Sequence, residues 1–274
     1  MRLSQHVCLV TGATRGVGKA VAVELGREGA TVVATGRSVR GATTEGLPGS
    51  VEETAEAVTA AGGKGIASRC DHAKGPEVRA LFDRVLREHG RLDLVVANAW
   101  GGYEGYDPAE SALPFWEQPF EKRWRGMFEN GLRAQLLAAQ HAARTMSPRG
   151  RGLVVSTLAW DEGKPLGALH YDVAKAAAAR AVHGMARELR PHGVAAVGVS
   201  PGFVRTERVL AEHARRPLDL SQTESPRYAA RAVAALAADK DVMAISGEVL
   251  HVGDLARRYG FRDDDGRQPR FRLP

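Results

Sequence analysis

At 274 residues, 44% hydrophobic and 26% charged, the chain has the composition of a soluble globular protein with one sizeable core. Its net charge of +6 comes from 38 Lys+Arg scattered among 32 Asp+Glu, which is no nucleic-acid signature, and no apolar run approaches the roughly 20 residues that span a bilayer. Cys8 and Cys70 stand apart from any CxxC or Cys/His cluster, so neither a metal site nor a disulfide framework is expected.

From the N-terminus, short apolar runs alternate with longer amphipathic stretches. His6–Val10 predicts a strand and Gly18–Glu28 a helix; Thr31–Thr35 predicts a strand and Val51–Ala61 a helix. Gly65–Arg69 and Leu92–Ala97 read as strands on either side of a helix over Pro76–His89. A long helix over Phe120–Met146 precedes the strand Gly152–Ser156 and the helix Tyr171–Arg190. The strand Ala195–Ser200, a helix near Ser225–Ala238 and a strand near Glu248–Val252 close the series. This alternation implies βαβ units: an α/β single-domain Rossmann fold with a doubly wound parallel sheet of about seven strands flanked by helices. No linker or repeat divides residues 1–274. Cys8 and Cys70 fall on the first and third strands, which are not neighbours in the usual order 3-2-1-4, a further reason to expect two reduced thiols. MRLSQHVCLVTG runs straight into the first strand without a signal-peptide layout, which points to a cytoplasmic protein.

Three segments interrupt the pattern: 38–50, rich in Gly and Thr; 100–119, rich in aromatics; and 203–223, polar and Arg-rich. All three follow strand C-termini, the edge where open α/β sheets bind ligands. The densest basic clusters, Arg215-Arg216 and the tail from Arg257 to Arg272 with Asp263, Asp264 and Asp265, read as solvated faces. The modest positive field favours an anionic ligand such as a phosphorylated cofactor.

Between the first strand and first helix stands Thr11-Gly12-Ala13-Thr14-Arg15-Gly16-Val17-Gly18. Glycines in that place let the backbone turn sharply and approach a pyrophosphate resting on the helix N-terminus. After the second strand the chain reads Thr35-Gly36-Arg37-Ser38, without the carboxylate that usually holds an unphosphorylated ribose. Arg37 is suited to a 2′-phosphate, with Arg15 reaching it from the other side and Arg40 as a further cation, so NADP(H) is expected over NAD(H).

Tyr171 and Lys175 lie four residues apart in HYDVAKAAAAR, on one face of the expected helix. A neighbouring ammonium favours phenolate, which makes this tyrosine a candidate general acid/base.

TGATRGVG, Tyr171-Asp-Val-Ala-Lys175 and the run Ser200 to Thr206 (SPGFVRT) together resemble the TGxxxGxG, YxxxK and PGxxxT motifs of the short-chain dehydrogenase/reductase family, over nearly the whole span. WGGY and the tail LARRYGFRDDDGR look like one subgroup of it. The resemblance implies that Tyr171 is the acid/base and that Lys175 binds the nicotinamide ribose. It implies that the backbone carbonyl of Asn130 holds a relay water and that Asp71 meets the adenine. Gly12, Thr14, Arg15, Gly16, Val17 and Gly18 would hold the pyrophosphate, and Arg37 and Ser38 the 2′-phosphate end. Asn98 and Ala99 would line the cofactor, and Pro201, Gly202, Val204 and Thr206 would lie beside the nicotinamide. It also implies a homodimer or homotetramer, for which the Ala-rich stretch Ala174–Ala181 permits close helix packing.

Two positions depart from the family pattern. NNAG becomes Ala97-Asn98-Ala99-Trp100, placing bulk beside the cofactor, and the catalytic serine position is Leu158. Ser156, on the same strand face but one repeat deeper, is the candidate replacement hydroxyl; Thr157 is expected to point the other way unless the strand end bulges, and the remaining alternative is that the hydroxyl is absent. All four tryptophans (Trp100, Trp116, Trp124, Trp160), with Tyr103, Tyr106 and Phe115, follow strands four and five. They either pack the long insertion or line an apolar pocket. His170 reads as a helix N-terminal residue. The expected activity is NADP(H)-dependent oxidoreduction of a small carbonyl or alcohol substrate, hydrophobic or aromatic. The alternative is an NADP(H)-binding sensor or scaffold with little turnover.

Overall fold

The computed structural model describes residues 1–105, 107–160, 163–221 and 223–271, so Tyr106 and Arg272 lie outside the described residues. Among the described residues there are seven strands: β1 (Val7–Thr11), β2 (Thr31–Gly36), β3 (Lys64–Arg69), β4 (Leu94–Ala97), β5 (Gly152–Thr157), β6 (Val194–Ser200) and β7 (Val249–His251), of which the edge strand β3 is largely solvent-facing and the central ones are buried. They form one parallel sheet in the order β3-β2-β1-β4-β5-β6-β7. Runs such as VCLVT and LVVA suit a sheet covered on both faces, because neither side of the strand meets water. The order reverses direction between β1 and β4, which opens a crevice at their carboxyl ends.

Side chains alternate across the sheet and divide the core in two. Cys8, Val10 and Val32 pack with Val21 and Leu25 of α1 (Gly16–Arg27), Val58 of α2 (Val51–Ala60) and Val233 and Leu236 of α9 (Pro226–Ala238). Leu9, Val33 and Val95 pack on the other face. Their partners are Leu81 and Phe82 of α3 (Gly75–His89), Ala138 and Ala142 of α6 (Ala134–Met146) and Ala186 of α7 (Leu169–Leu189). Cys8 lies on β1 and Cys70 just past β3, both buried and free.

The expected elements are present with ends displaced by a few residues at most. The helix over Phe120–Met146 is continuous but uneven: α5 (Phe120–Trp124) and α6 flank a π-helical stretch, Arg125–Arg133, that contains Asn130. A π-turn is a common local distortion at functional sites, and Asn130 within this one lines the crevice. Three helices were not expected from the pattern: α4 (Pro108–Ala112), α8 (Glu207–Arg215) inside the Arg-rich segment, and α10 (Val252–Tyr259) in the tail.

The tail corrects the expectation of a solvated face. Asp263 is only 3% exposed and accepts from the backbone N–H and the hydroxyl of Ser225. Tyr228 donates its hydroxyl to the Pro269 carbonyl at 3.2 Å, and Arg270 donates to Asp254 at 2.7 Å. The described part of the tail therefore packs onto α9 and α10 and brings Phe271 to the crevice. No helix among the described residues is long and apolar enough to cross a membrane.

Candidate active site

A cavity of about 990 Å³ occupies the crevice at the carboxyl ends of the strands. Every expected site residue except Ser156 lines it.

Its floor is the glycine loop after β1. Gly12 and Gly16 have φ of +65° and +56°, a region that costs a residue with a Cβ, and a Cβ on Gly12 would lie 2.8 Å from the Ala99 Cα. A Cβ on Gly18 would meet the Gly12 carbonyl and the Asn98 amide. The Asn98 side chain donates from Nδ2 to the Thr11 carbonyl at 2.9 Å and accepts the Thr157 hydroxyl at 3.0 Å. It thereby ties the ends of β1, β4 and β5 together. Thr11, not singled out in the sequence, contributes as much: its Oγ1 accepts from the N–H groups of Asn98 and Ala99 at 2.8 and 2.9 Å.

Some helix starts carry a side-chain cap: Ser50 and Ser225 accept from the N–H groups of Glu53 and Tyr228. Helix α1 has no cap from its own turn. Instead Oε2 of Glu207, at the start of α8, accepts from Gly16 N at 2.8 Å. An anionic carboxylate thus sits where the helix dipole and unpaired amides favour negative charge.

The rim joins the three segments that interrupt the strand–helix pattern. Arg15 donates from Nη2 to Ser38 Oγ at 3.0 Å and from Nε to the Pro48 carbonyl at 2.9 Å, so its guanidinium is spent on the 38–50 segment. Arg37 pairs with Glu104. Glu45, at φ +57° a rare conformation for a residue with a side chain, pairs with Arg208 and accepts from Gly105 N at 3.0 Å. The two cations expected to face a 2′-phosphate are therefore at the rim, each with protein partners. Glu45, Glu104, Glu207 and Arg208 had no local signal, because each partner lies at least 60 residues away in sequence. Asp71 Oδ1 accepts from Ala73 N at 3.1 Å, and the neighbouring His72 is buried and pushed down to about 4, leaving a neutral ring against Thr35 Oγ1 at 2.7 Å.

On the opposite wall, α7 carries Tyr171 and Lys175, one turn apart. The Lys175 ammonium does not turn to the phenol. It sits 3.4 Å from the centroid of the Trp100 indole and 5.6 Å from that of the Tyr171 ring. Burial draws Lys175 down to about 7 and pushes Tyr171 above its usual value, with the Tyr103 hydroxyl opposing the latter. The expectation that Lys175 lowers the Tyr171 pKa is not met, because the indole claims the amine. The same indole abuts Gly131, where an added Cβ would lie 2.7 Å from Cζ3 of Trp100. The Asn130 carbonyl, expected to hold a relay water, accepts from Gly101 N at 3.0 Å.

Ser156 is the misplaced candidate. It pairs with Ala97 and Gly198 in the sheet, is 4% exposed, and does not reach the cavity. Thr157, expected to point away, does line it. Leu158 packs with Ala178, Ala179 and Val182, while also lining the cavity. The aromatics split between the two expected roles: Trp100, Tyr103 and Trp160 line the cavity, whereas Phe115, Trp116 and Trp124 are exposed and outside it. His170 sits in the first turn of α7, edge-on to Phe120.

The family pattern described as short chain dehydrogenase matches residues 6–216. The chain belongs to the short-chain dehydrogenase family. Dehydrogenase/reductase SDR family member 1 of Mus musculus is 38% identical over 279 residues, covering 96% of this chain and 84% of that protein. The dehydrogenase falls in that subgroup, as WGGY and the tail implied. A hydroxynaphthalene reductase-like protein of Metarhizium majus is 33% identical over 206 residues, covering 75% of this chain and 70% of that one. Among solved structures, a short-chain type dehydrogenase/reductase from Mycobacterium marinum is 27% identical with a TM-score of 0.74, covering 91% of this chain and 94% of that one. This short-chain dehydrogenase thus combines the family's glycine cradle and Tyr/Lys pair with a Trp at position 100 and a Leu at position 158.

Proposed function

We propose that this short-chain dehydrogenase is an NADP(H)-dependent oxidoreductase acting on the carbonyl or alcohol group of a hydrophobic or aromatic small molecule. One observation carries this: the glycine cradle and the Tyr171/Lys175 pair line a single cavity. The cradle fits a dinucleotide, since Gly12 and Gly18 let the loop pack tightly on Ala99 and Asn98, where a Cβ would clash, and a carboxylate already finds the amide of Gly16. Gly12, Thr14, Gly16, Val17 and Gly18 would hold the pyrophosphate, Asp71 the adenine end, and Asn98 and Ala99 the middle of the cofactor. Pro201, Gly202, Val204 and Thr206 would flank the nicotinamide. Arg37, with Ser38 beside it, favours the 2′-phosphate, with Arg15 bracing the loop that carries Ser38.

When bound, the nicotinamide supplies the hydride-exchanging carbon. Tyr171 donates its proton to the carbonyl oxygen in reduction and accepts one from the alcohol in oxidation. Lys175 offers its amine to the ribose hydroxyls. Trp100, Tyr103 and Trp160 give the substrate side apolar, aromatic walls. The aromatic substrate class is in keeping with the name of the Metarhizium relative.

NADPH and NADH binding followed by nucleotide fluorescence, then oxidation of the bound cofactor by a panel of aromatic ketones and aldehydes, tests this assignment. NADPH should bind at least 10-fold tighter than NADH, and Arg37→Ala should erase that preference. Equal affinities would overturn the cofactor assignment. The contact between Lys175 and the Trp100 indole favours a second reading, a nucleotide-binding sensor with little turnover. Tight NADPH binding without oxidation by any carbonyl in the panel would select it.

A further inference from the structure

Two carboxylates stand at the points where the anionic groups of the cofactor are expected. Glu207 Oε2 accepts from Gly16 N at 2.8 Å on the pyrophosphate side, and Glu104 pairs with Arg37 on the 2′-phosphate side. Both acids and Arg37 line the cavity. Gly36-Arg37-Ser38 holds no carboxylate of its own, yet the fold brings one beside Arg37 from 67 residues away.

Glu104 is held there by its backbone as well as by Arg37. Its N–H donates to the Gly101 carbonyl at 3.1 Å and closes a turn, and Gly101 N in turn donates to the Asn130 carbonyl at 3.0 Å. On either side of Glu104, Gly105 N donates to Glu45 Oε1 at 3.0 Å and Arg208 of α8 donates to the Tyr103 carbonyl at 3.1 Å. A Cβ on Gly101 would lie 3.2 Å from Glu104 Oε1, so the carboxylate lies over its own turn. The side chains of Arg37 and Glu104 are 34% and 28% exposed, so water and salt screen the pair only in part. A guanidinium bonded to a carboxylate has fewer donors free for a phosphate, and the carboxylate repels a phosphate that approaches. An uncharged ribose hydroxyl meets no such repulsion.

We propose that Glu104 is a specificity-determining residue for the cofactor: its carboxylate competes with the 2′-phosphate for Arg37, so that the pair, and not Arg37 alone, sets the preference for NADPH over NADH. This rests on the cofactor assignment above. Selectivity is a difference between two affinities, and Glu104 acts on one of them by opposing the phosphorylated nucleotide. The competitor belongs to the segment that also places Trp100 and Tyr103 in the cavity. A phosphate that takes Arg37 therefore loosens one of the ties on that segment.

Glu104→Gln removes the charge and keeps the size of the side chain. Dissociation constants for NADPH and NADH, read by nucleotide fluorescence, report the effect without any turnover. NADPH should bind about 3- to 10-fold tighter to Glu104→Gln, and NADH within about 2-fold of its affinity for the parent protein. The gain should vanish when Arg37 is absent: Arg37→Ala with and without Glu104→Gln should bind NADPH within about 2-fold of each other. Glu56→Gln, which removes an exposed carboxylate paired with Arg40, changes the net charge equally and should leave both constants unchanged. An unmoved NADPH/NADH ratio in Glu104→Gln, a gain of the same size in the Arg37→Ala background, or an equal gain in Glu56→Gln overturns the proposal. If the parent protein binds both nucleotides equally and Glu104→Gln opens a preference for NADPH, the competition stands and the cofactor assignment of the parent falls instead.

Discussion

Replacing Lys175 by methionine should make the cofactor-free protein more stable, by an amount that depends on pH. Lys175 is 6% exposed and burial draws its pKa from 10.5 to about 7. That drop corresponds to roughly 5 kcal/mol against the buried ammonium, at 1.36 kcal/mol per pH unit. The folded value lies below the unfolded one, so the cost is fully present below pH 7, where both states are protonated. It shrinks between pH 7 and 10.5 and vanishes above, where both are neutral. Urea unfolding of the parent protein and Lys175→Met should therefore differ by about 4 to 5 kcal/mol at pH 6.5 and by about 1 kcal/mol at pH 9.5. A methionine variant that is no more stable, or equally more stable at both pH values, would refute a buried, destabilised ammonium.

Three further outcomes follow from the same geometry. Glu207→Gln removes the carboxylate that accepts from Gly16 N, so NADPH should bind about 3- to 10-fold tighter by fluorescence titration; weaker binding would mean that Glu207 supports the nucleotide. Gly18→Ala places a Cβ against the Gly12 carbonyl and the Asn98 amide, and should weaken NADPH binding on the order of 100-fold; an unchanged dissociation constant would contradict the close packing of the cradle. Glu224, which accepts from Gly202 N at 3.0 Å, is buried and pushed up to about 7 from 4.5. Its folded value lies above the unfolded one, so the cost of the buried anion is full above pH 7 and gone below pH 4.5. Glu224→Gln should stabilise by about 2 to 3 kcal/mol at pH 8 and by little at pH 5, and a gain independent of pH would argue against a buried carboxylate.

Much of the fold is legible because its signals are local. VCLVT, TVVATG and VAAVGVS read as strands without reference to anything distant, and TGATRGVG announces both the turn and the helix it opens. The helices that escape notice are short and charged. In ERVLAEHAR, α8 presents only Val209, Leu210, Ala211 and Ala214 among polar residues, and α10 buries one small apolar face beside Arg257 and Arg258. The π-turn at Arg125–Arg133 is invisible because an extra residue in one turn leaves the long apolar pattern looking helical.

At the site, spacing along a helix or strand conveys which residues can meet, and it brought Tyr171 and Lys175 to one face. It does not convey which partner wins. Lys175 lies closer to the indole of Trp100 than to the ring of Tyr171, a choice made by how the 100–105 segment folds back onto α7. Tyr103 was legible as an aromatic of the substrate side, while the approach of its ring to 5.9 Å from that of Tyr171 depends on that same fold-back. Strand alternation placed Ser156 one repeat deeper than Leu158, and depth alone keeps it out of the cavity.

The proposed function puts proton transfer at Tyr171, in a cavity whose glycine loop would hold a nicotinamide dinucleotide. The most direct measurement is single-turnover oxidation of bound NADPH, followed by its absorbance, in the parent protein and in Tyr171→Phe with an aromatic ketone. Tyr171→Phe should bind NADPH with unchanged affinity and lose at least about 10²-fold in the oxidation rate. An oxidation rate equal to that of the parent protein would contradict the account.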